Sequence, residues 1–470
     1  MPGPAPITRT NSNAFATFSA TGRRTSKPSS QRPNKMKKLL LLTVFFAALV
    51  AGATAQDRPN PRPAAVVPKD GAAVENTTAL KPGSKKPPGK AEEKSEAFFH
   101  GEKIPHVEIK LLPVPGITNL VGQLQKEPRK YVKASLTIDG TVHPEVGIRL
   151  RGGAGSFRQI TDKAGFTIDM NKFDGKEKFH GMDKWHVANS VQDGSYLSEL
   201  LCGELFRAAG VPAARIHHAM VSFNGQLRGF YYLKEGYSGL FIKRHFQNTD
   251  GNFYDGGFLR DIDQPLDIIH TRTDVKDRAD LKALVAAARE PDLTRRFERL
   301  EKLLDMDQFI SGFVVQTIIG DWDGYAFNRN NYRVYHDPKL DKISFIPSGL
   351  DQEFRNPVTG SVYPPTAPSP WAGKVQPQGL IAQAIFSTPQ GKVRFLHRLE
   401  EINRTLMEPA IWLKRIDELQ ARVQPALAKV DASAGKNYPH QLWRIRQFFT
   451  VRQQSIQRQL NAVWEEMGRS

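Results

Sequence analysis

The first apolar feature of the chain is a continuous run over residues 39–50, and nothing before it alternates or recurs at helical spacing. After Gln56 the pattern vanishes again. Pro, Lys, Ala and Glu dominate to about residue 100, in strings such as RPNPRPAAVVPKDG and KPGSKKPPGKAEEK, which are too polar to bury a core. Periodicity returns near Lys103 with HVEIKLLP, which alternates as a strand does. Residues 131–139, ending in an Asp139-Gly140 turn, then 145–150 and 166–170, read as further strands. Between them and the next hairpin a helix opens at Asp193-Gly194-Ser195, with Ser195 as its cap. Leu197, Leu200, Leu201, Leu205 and Phe206 form its apolar face, and Gly210 and Pro212 end it. The hairpin itself, 221–223 and 229–233 about Asn224-Gly225, is the strongest local signal of all. Beyond Leu266 the spacing becomes helical: 277–289, 293–304 and a nearly all-apolar, hence buried, helix over 306–319. Two short strands, 332–335 and 343–346, interrupt it, and 379–464 is helical throughout. The pattern predicts an α+β chain, β-rich over about 101–260 and helical over about 261–470, with no internal repeat.

Composition adds a targeting signal. Met36-Lys37-Lys38, the apolar run and Ala53-Thr54-Ala55 are the basic, hydrophobic and small-x-small parts of a cleaved secretory signal over 36–55. The run is too short to span a bilayer comfortably, so no transmembrane span is expected in the mature form. Residues 1–35 read as a disordered extension, with Met36 a candidate start, and 56–100 as a disordered Pro/Lys-rich linker. The expected location is periplasm, cell envelope or exterior. Net charge is +18, but residues 1–55 hold eight basic residues and no acid, so the mature chain carries +10. That suits anionic substrates or an envelope and does not argue for a specific nucleic-acid partner. Cys202, the single cysteine, lies in an apolar helix and reads as a buried small residue.

The candidate chemistry lies in 321–354, DWDGYAFNRNNYRVYHDPKLDKISFIPSGLDQEF. Acids and amides fall where strands end, so that a rigid scaffold can aim them at one point. Asp323 and Asn328 share one loop, and Asp351 arrives after the next strand. One carboxylate to accept a proton, with an amide and a carboxylate around Mg²⁺, is the minimal kit for phosphoryl transfer. The same residue types also cap turns. Upstream, Arg149, Arg151 and Gly153 belong to a Gly-rich string, RLRGGAGS, that could approach phosphates or form a plain hairpin turn. It is no Walker loop, since no Gly-Lys-Ser/Thr follows. His217 and His218 are strand neighbours facing opposite ways, so they cannot readily share a metal. A hydrolase using Asp323 and Asp351 as an acid/base pair lacks a nucleophile motif.

GDWDGYAFNRNNYRVY followed by FIPSGLDQEF resembles the core signature of the CotH-kinase family, the spore-coat protein H type of atypical secreted kinase. EVGIRLRGGAGSF, DKAGFTIDM and the segment from DGSYLSELL to FIKRHF follow the family's order upstream. The resemblance implies a two-lobe kinase-like domain over 101–470 that transfers the γ-phosphate of ATP, with Mg²⁺ or Mn²⁺, to Ser, Thr or Tyr of exported or envelope proteins. It makes Asp323 the base and Asn328 and Asp351 the metal ligands. Lys163 becomes the strand lysine that meets the nucleotide, with Glu199 or Glu204 as its partner, and Glu235 lies where a hinge would touch nucleotide. In one place the chain departs from the family: the frequent Pro-Trp-Asp-x-Asp is Pro347-Ser348-Gly349-Leu350-Asp351, and its first acid is absent. That absence, and the scarcity of ATP outside the cytoplasm, motivate the alternative of a non-catalytic kinase-fold binding protein.

Overall fold

A computed structural model describes residues 89–173, 178–270, 277–354, 360–369 and 373–468. The expected extension, signal segment and most of the linker lie outside them. The end of that linker is instead ordered: α1 (Lys90–His100) is a helix whose Ser95 and Phe99 are buried. Its polar composition hides the reason, because it is fastened from outside. Arg215 donates to Ser95 Oγ (2.9 Å), pairs with Glu96 and lies over the Phe99 ring at 4.6 Å.

The first half is a closed barrel. Its strands are β1 (His106–Leu111), β2 (Val132–Ile138), β3 (Thr141–Arg151), β4 (Gly165–Asp169), β5 (Lys184–Ala188), β6 (Ile216–Phe223) and β7 (Gln226–Glu235). They run in the order β1-β2-β3-β4-β5-β7-β6, antiparallel except where β6 closes on β1. Both Asx-Gly turns fall where expected, pairing Ile138 with Thr141 and Phe223 with Gln226. Alternation puts Ile148, Ile168, Val187 and Leu233 in the fully buried interior, so intervening residues face outward. The short α2 (Leu120–Gln125) covers β2 and β3, and α3 (Ser198–Ala208) lies between β5 and β6 in the chain. Asp193 holds the start of α3 together with Ser195: the Asp193 carboxylate accepts from the Ser195 and Ser198 amides (2.9 and 3.0 Å), and Ser195 Oγ accepts from the Leu197 amide (3.1 Å).

After α4 (Gly239–His245) come β8 (Asn252–Asp255) and β9 (Asp267–His270). The helices α5 (Ala279–Ala288), α6 (Leu293–Leu303) and α7 (Met306–Ile319) follow, then α8 (Tyr325–Asn328), β10 (Tyr332–Asp337) and β11 (Lys342–Pro347). A small hairpin, β12 (Ala367–Ser369) with β13 (Gly373–Val375), precedes α9 (Leu380–Phe386), α10 (Pro389–Leu406), α11 (Pro409–Val430) and α12 (Ala432–Gly468). Strands from either side of residue 260 share a second sheet, β11-β10-β8-β9. α7 is buried nearly all round, as its unbroken apolar sequence requires, and one large core joins it to α3, α5, α6 and α9–α12. The mixed α+β composition matches expectation, and the barrel closure is what the pattern did not reveal. Among the described residues no helix is long and apolar enough to cross a membrane.

Candidate active site

Strand register builds one wall of the site. Arg149 stands opposite Thr167, Thr167 opposite His186, and His186 opposite Lys234, so one polar row crosses the outer face of β3, β4, β5 and β7. Thr167 Oγ1 and His186 Nδ1 are 3.1 Å apart. At the row's far end Lys234, 2% exposed, forms an ion pair with Glu199 of α3, 8% exposed. The carboxylate of Glu199 also accepts from the Leu350 amide; the nearby cations outweigh its burial and hold its pKa below the ordinary value. Arg151 comes from the end of β3 and Arg333 from β10. Arg333 pairs with Asp255 (2.9 Å) and lies 4.0 Å over the Tyr237 ring. Burial, then Arg151, Lys234, Arg333 and Arg149, hold His186 far below its usual pKa, so the imidazole is neutral among cations. Against these charges stands Asp351, whose carboxyl is pushed up to about 6 by burial and by the Glu199 and Asp193 carboxylates.

The facing wall is the loop after α7. Gly320 ends that helix in the left-handed conformation (φ 76°). Asp321 follows, buried against Gly324: a Cβ on Gly324 would lie 2.2 Å from Asp321 Oδ2, so only glycine fits. Burial and the neighbouring Asp323 raise the Asp321 pKa. Asp323 is held by three amides. Oδ1 accepts from Asn328 Nδ2 (2.7 Å) and Asn330 Nδ2 (3.1 Å), and Oδ2 accepts from Asn331 Nδ2 (2.8 Å).

Asn331 ties this loop to the elbow carrying Asp351. Its carbonyl accepts from the Ser348 amide at 2.9 Å, and its side-chain Oδ1 lies 2.6 Å from where a Cβ of Gly349 would stand. Gly349 is itself left-handed (φ 65°). The described residues contain no group of three His, Cys, Asp or Glu placed to hold a metal by themselves.

The family model for CotH kinase protein matches residues 148–462. The chain belongs to the CotH kinase family. A search of the curated proteins found no match. The family match takes in both walls, from Arg149 to Asp351.

Within this member of the CotH kinase family the residues singled out in the sequence divide. Arg151 and Asp351 lie in the electrostatic cluster with Glu199, and Asp323 and Asn328 touch each other. Arg149 sits at the near end of the row, its guanidinium 5.0 Å over the Tyr131 ring. Lys163 does not meet either acid expected for it. Its Nζ donates to Tyr196 Oη (2.7 Å), between the Tyr196 and Tyr231 rings, and burial lowers its pKa to about 8. Glu199 is taken by Lys234, and Glu204 by Arg415 at 2.7 Å. Glu235 is not exposed to a nucleotide either. It is wholly buried and gripped by Arg215 (2.7 Å) and Arg244 (2.6 Å), a structural ion-pair network. The Gly153 amide donates to Ser156 Oγ (3.1 Å), so the Gly-rich string closes on itself as a turn.

Lys234, His186 and Arg333 were missed. A signal for Lys234 existed: in GFYYLKE, alternation puts it on the face opposite Leu233, where a lysine inside an apolar strand needs a partner.

Proposed function

We propose that this chain is an exported atypical kinase that transfers the γ-phosphate of ATP to a Ser, Thr or Tyr hydroxyl of an exported or envelope protein. The observation that carries the reading is the buried Lys234–Glu199 pair beside Asp351, with Arg151 and Arg333 in the same charge cluster. A lysine on a sheet paired with a helix glutamate, next to a metal-seeking aspartate, is the arrangement that positions a triphosphate in kinases. In this reading the barrel with α3 acts as the first lobe and the helical remainder as the second. Arg151, Lys234 and Arg333 meet phosphate oxygens, and neutral His186 donates or accepts without adding charge. Asp323, aimed by three asparagine amides, orients the acceptor hydroxyl and takes its proton. The carboxylates crowded about Asp351 suit a divalent cation, which would relieve their repulsion. Asp351 and Oδ1 of Asn328 would hold Mg²⁺ or Mn²⁺, with the phosphates completing the shell, as Mg²⁺ sites commonly do. Bound there, the ion would supply charge neutralisation at the transferring phosphate.

A specific observation favours a second reading, nucleotide binding without turnover. The family's first elbow acid is Gly349 here, and Asn331 fills the space its side chain would need. Incubating the mature chain with labelled ATP, Mn²⁺ and a mixture of envelope proteins, alongside a thermal-shift titration with ATP and metal, tests both. Transfer that is lost in Asp323→Ala supports the first. Metal-dependent ATP binding with no transfer to protein or to the chain itself establishes the second.

A further inference from the structure

A groove of about 350 Å³ opens beside the barrel, between the loop carrying Val114 and Ile117, α2 and the start of β2. Its floor is apolar (Val114, Ile117, Leu120, Val132) and Phe173, 40% exposed, forms one lip. The acids nearby are already taken: Glu127 pairs with Arg129 (2.6 Å) and Glu145 with Lys133 (2.8 Å). The cations are not. Lys126 and Lys130 on the rim, and Lys172 beside it, are exposed and form no ion pair among the described residues.

The groove also leads somewhere. Tyr131 lines it, and Lys172 and Arg149 lie over the Tyr131 ring at 5.3 and 5.0 Å. The side chain of Lys172 runs across Gly147, where a Cβ would lie 2.6 Å from Lys172 Cβ, so this glycine lets the lysine lie flat. Arg149 is the first member of the row that ends at Lys234. A polar track, with Arg149 at its near end and Lys234 at its far end, therefore runs from the groove across the barrel face.

We infer that this groove docks an acidic segment of the protein substrate: an extended peptide with Asp or Glu over the lysine rim, apolar side chains on the floor, and its acceptor hydroxyl running toward Asp323. That direction rests on the kinase reading; the docking does not. Concavity and uncompensated charge favour a peptide over a flat anionic surface, which would want a convex face. The track crosses from β2 to β7, four strand spacings or about 19 Å, which an extended chain covers in about six residues.

The test is fluorescence anisotropy on the full chain without ATP, using a labelled twelve-residue peptide that carries one Ser, two Leu and a block of Glu about six residues away. The same peptide with Gln for Glu, anionic phosphatidylglycerol vesicles and a single-stranded oligonucleotide are the competitors. The Glu peptide is expected to bind at least tenfold tighter than the Gln peptide, to weaken with salt, and to lose at least tenfold in Lys126→Glu/Lys130→Glu. That variant keeps its thermal melt and its response to ATP. Equal binding of the two peptides overturns the inference, as does full binding by the double variant, or vesicles or oligonucleotide displacing the peptide at lower charge concentration. Because no phosphate transfer is read, a chain without turnover can still pass this test, and an active kinase can still fail it.

Discussion

Asp351 is where function and stability pull against each other most measurably. Its carboxyl is held near 6, against an ordinary 3.8, by burial and by the facing carboxylates of Glu199 and Asp193. A raised pKa means that the folded chain keeps this proton more tightly than the unfolded chain does. The stabilisation is fully present below about pH 4 and is lost as pH rises through 6. The difference between 3.8 and about 6 corresponds to about 3 kcal/mol of stability forgone at neutral pH. Asp351→Asn removes the titration and keeps the shape. Below pH 4 both proteins carry a neutral group there, so their stabilities differ by a constant. Between pH 4 and 7.5 the variant should gain about 3 kcal/mol on the wild type, several degrees in Tm.

Urea unfolding of both proteins at half-unit pH steps reads this directly. Adding Mg²⁺ and ATP should reverse the order at pH 7.5, because only the wild type has the carboxylate that the ion neutralises. A stability difference that stays flat from pH 4 to 8 would refute the picture of Asp351 as a charge crowded by its neighbours. The metal assignment would then lose its physical motive.

Three further outcomes follow from the same geometry, and a fourth from the sequence of residues 36–56. Lys234→Met strands Glu199 as a buried lone charge, so it should cost about 3–5 kcal/mol and abolish ATP binding; adding Glu199→Gln should restore the melt without restoring the affinity. Asp323→Ala should bind ATP as the wild type does in calorimetry, yet transfer phosphate about 10²–10⁴-fold more slowly. Gly349→Asp puts the family's acid into a left-handed position against Asn331, so chemical denaturation should show a loss of about 1–2 kcal/mol, which pairing with Asn331→Gly reduces. Sequencing of the exported protein should read Gln56 first, and intact residues 37–55 in a soluble cytosolic pool would argue against cleavage there.

The sequence made the local devices visible. The Asn224-Gly225 hairpin and the ends of α7 came from turn chemistry and apolar runs, signals that need no knowledge of the rest of the chain. Asp323 and Asn328 were legible for the same reason, since five positions on one loop keep them close whatever the fold. What failed was pairing across elements. Lys163 looked like the partner of Glu199 or Glu204 because a lysine before a strand and a glutamate on the next helix fit a familiar plan. Only barrel closure, with β7 set between β5 and β6, brings Lys234 to Glu199 instead. α1 escaped notice because most of its composition is polar and what holds it is distant: Arg215, more than a hundred positions away, and the core into which Phe99 packs. The loss at position 349 was readable as a missing acid, but not that Asn331 occupies its place.

That last substitution has a logic that reaches the whole cleft. Asn331 grips Asp323 with its amide, and its oxygen fills the space beside Gly349, so the aim of the base and the missing acid are one packing arrangement. Removing an acid from the elbow also changes the charge balance. With it, the cluster would set five carboxylates (Asp193, Glu199, Asp255, Asp351 and the acid at 349) against Arg151, Lys234 and Arg333, and on the kinase reading would need metal to accept any phosphate. Without it the two signs nearly cancel, and Asp351, titrating near 6, lies within reach of tipping the balance either way. On the kinase reading, a nucleotide would then meet fixed cations already in place, with less call on a second metal ion, because a protein charge that cannot diffuse away does part of the ion's electrostatic work. Binding can therefore survive the lost acid more easily than turnover does, since turnover also needs charge at the leaving oxygen. On the kinase reading, the elbow is left with Asp351 and Asn328 alone to keep one cation in line, and how well they do so would set the rate of transfer.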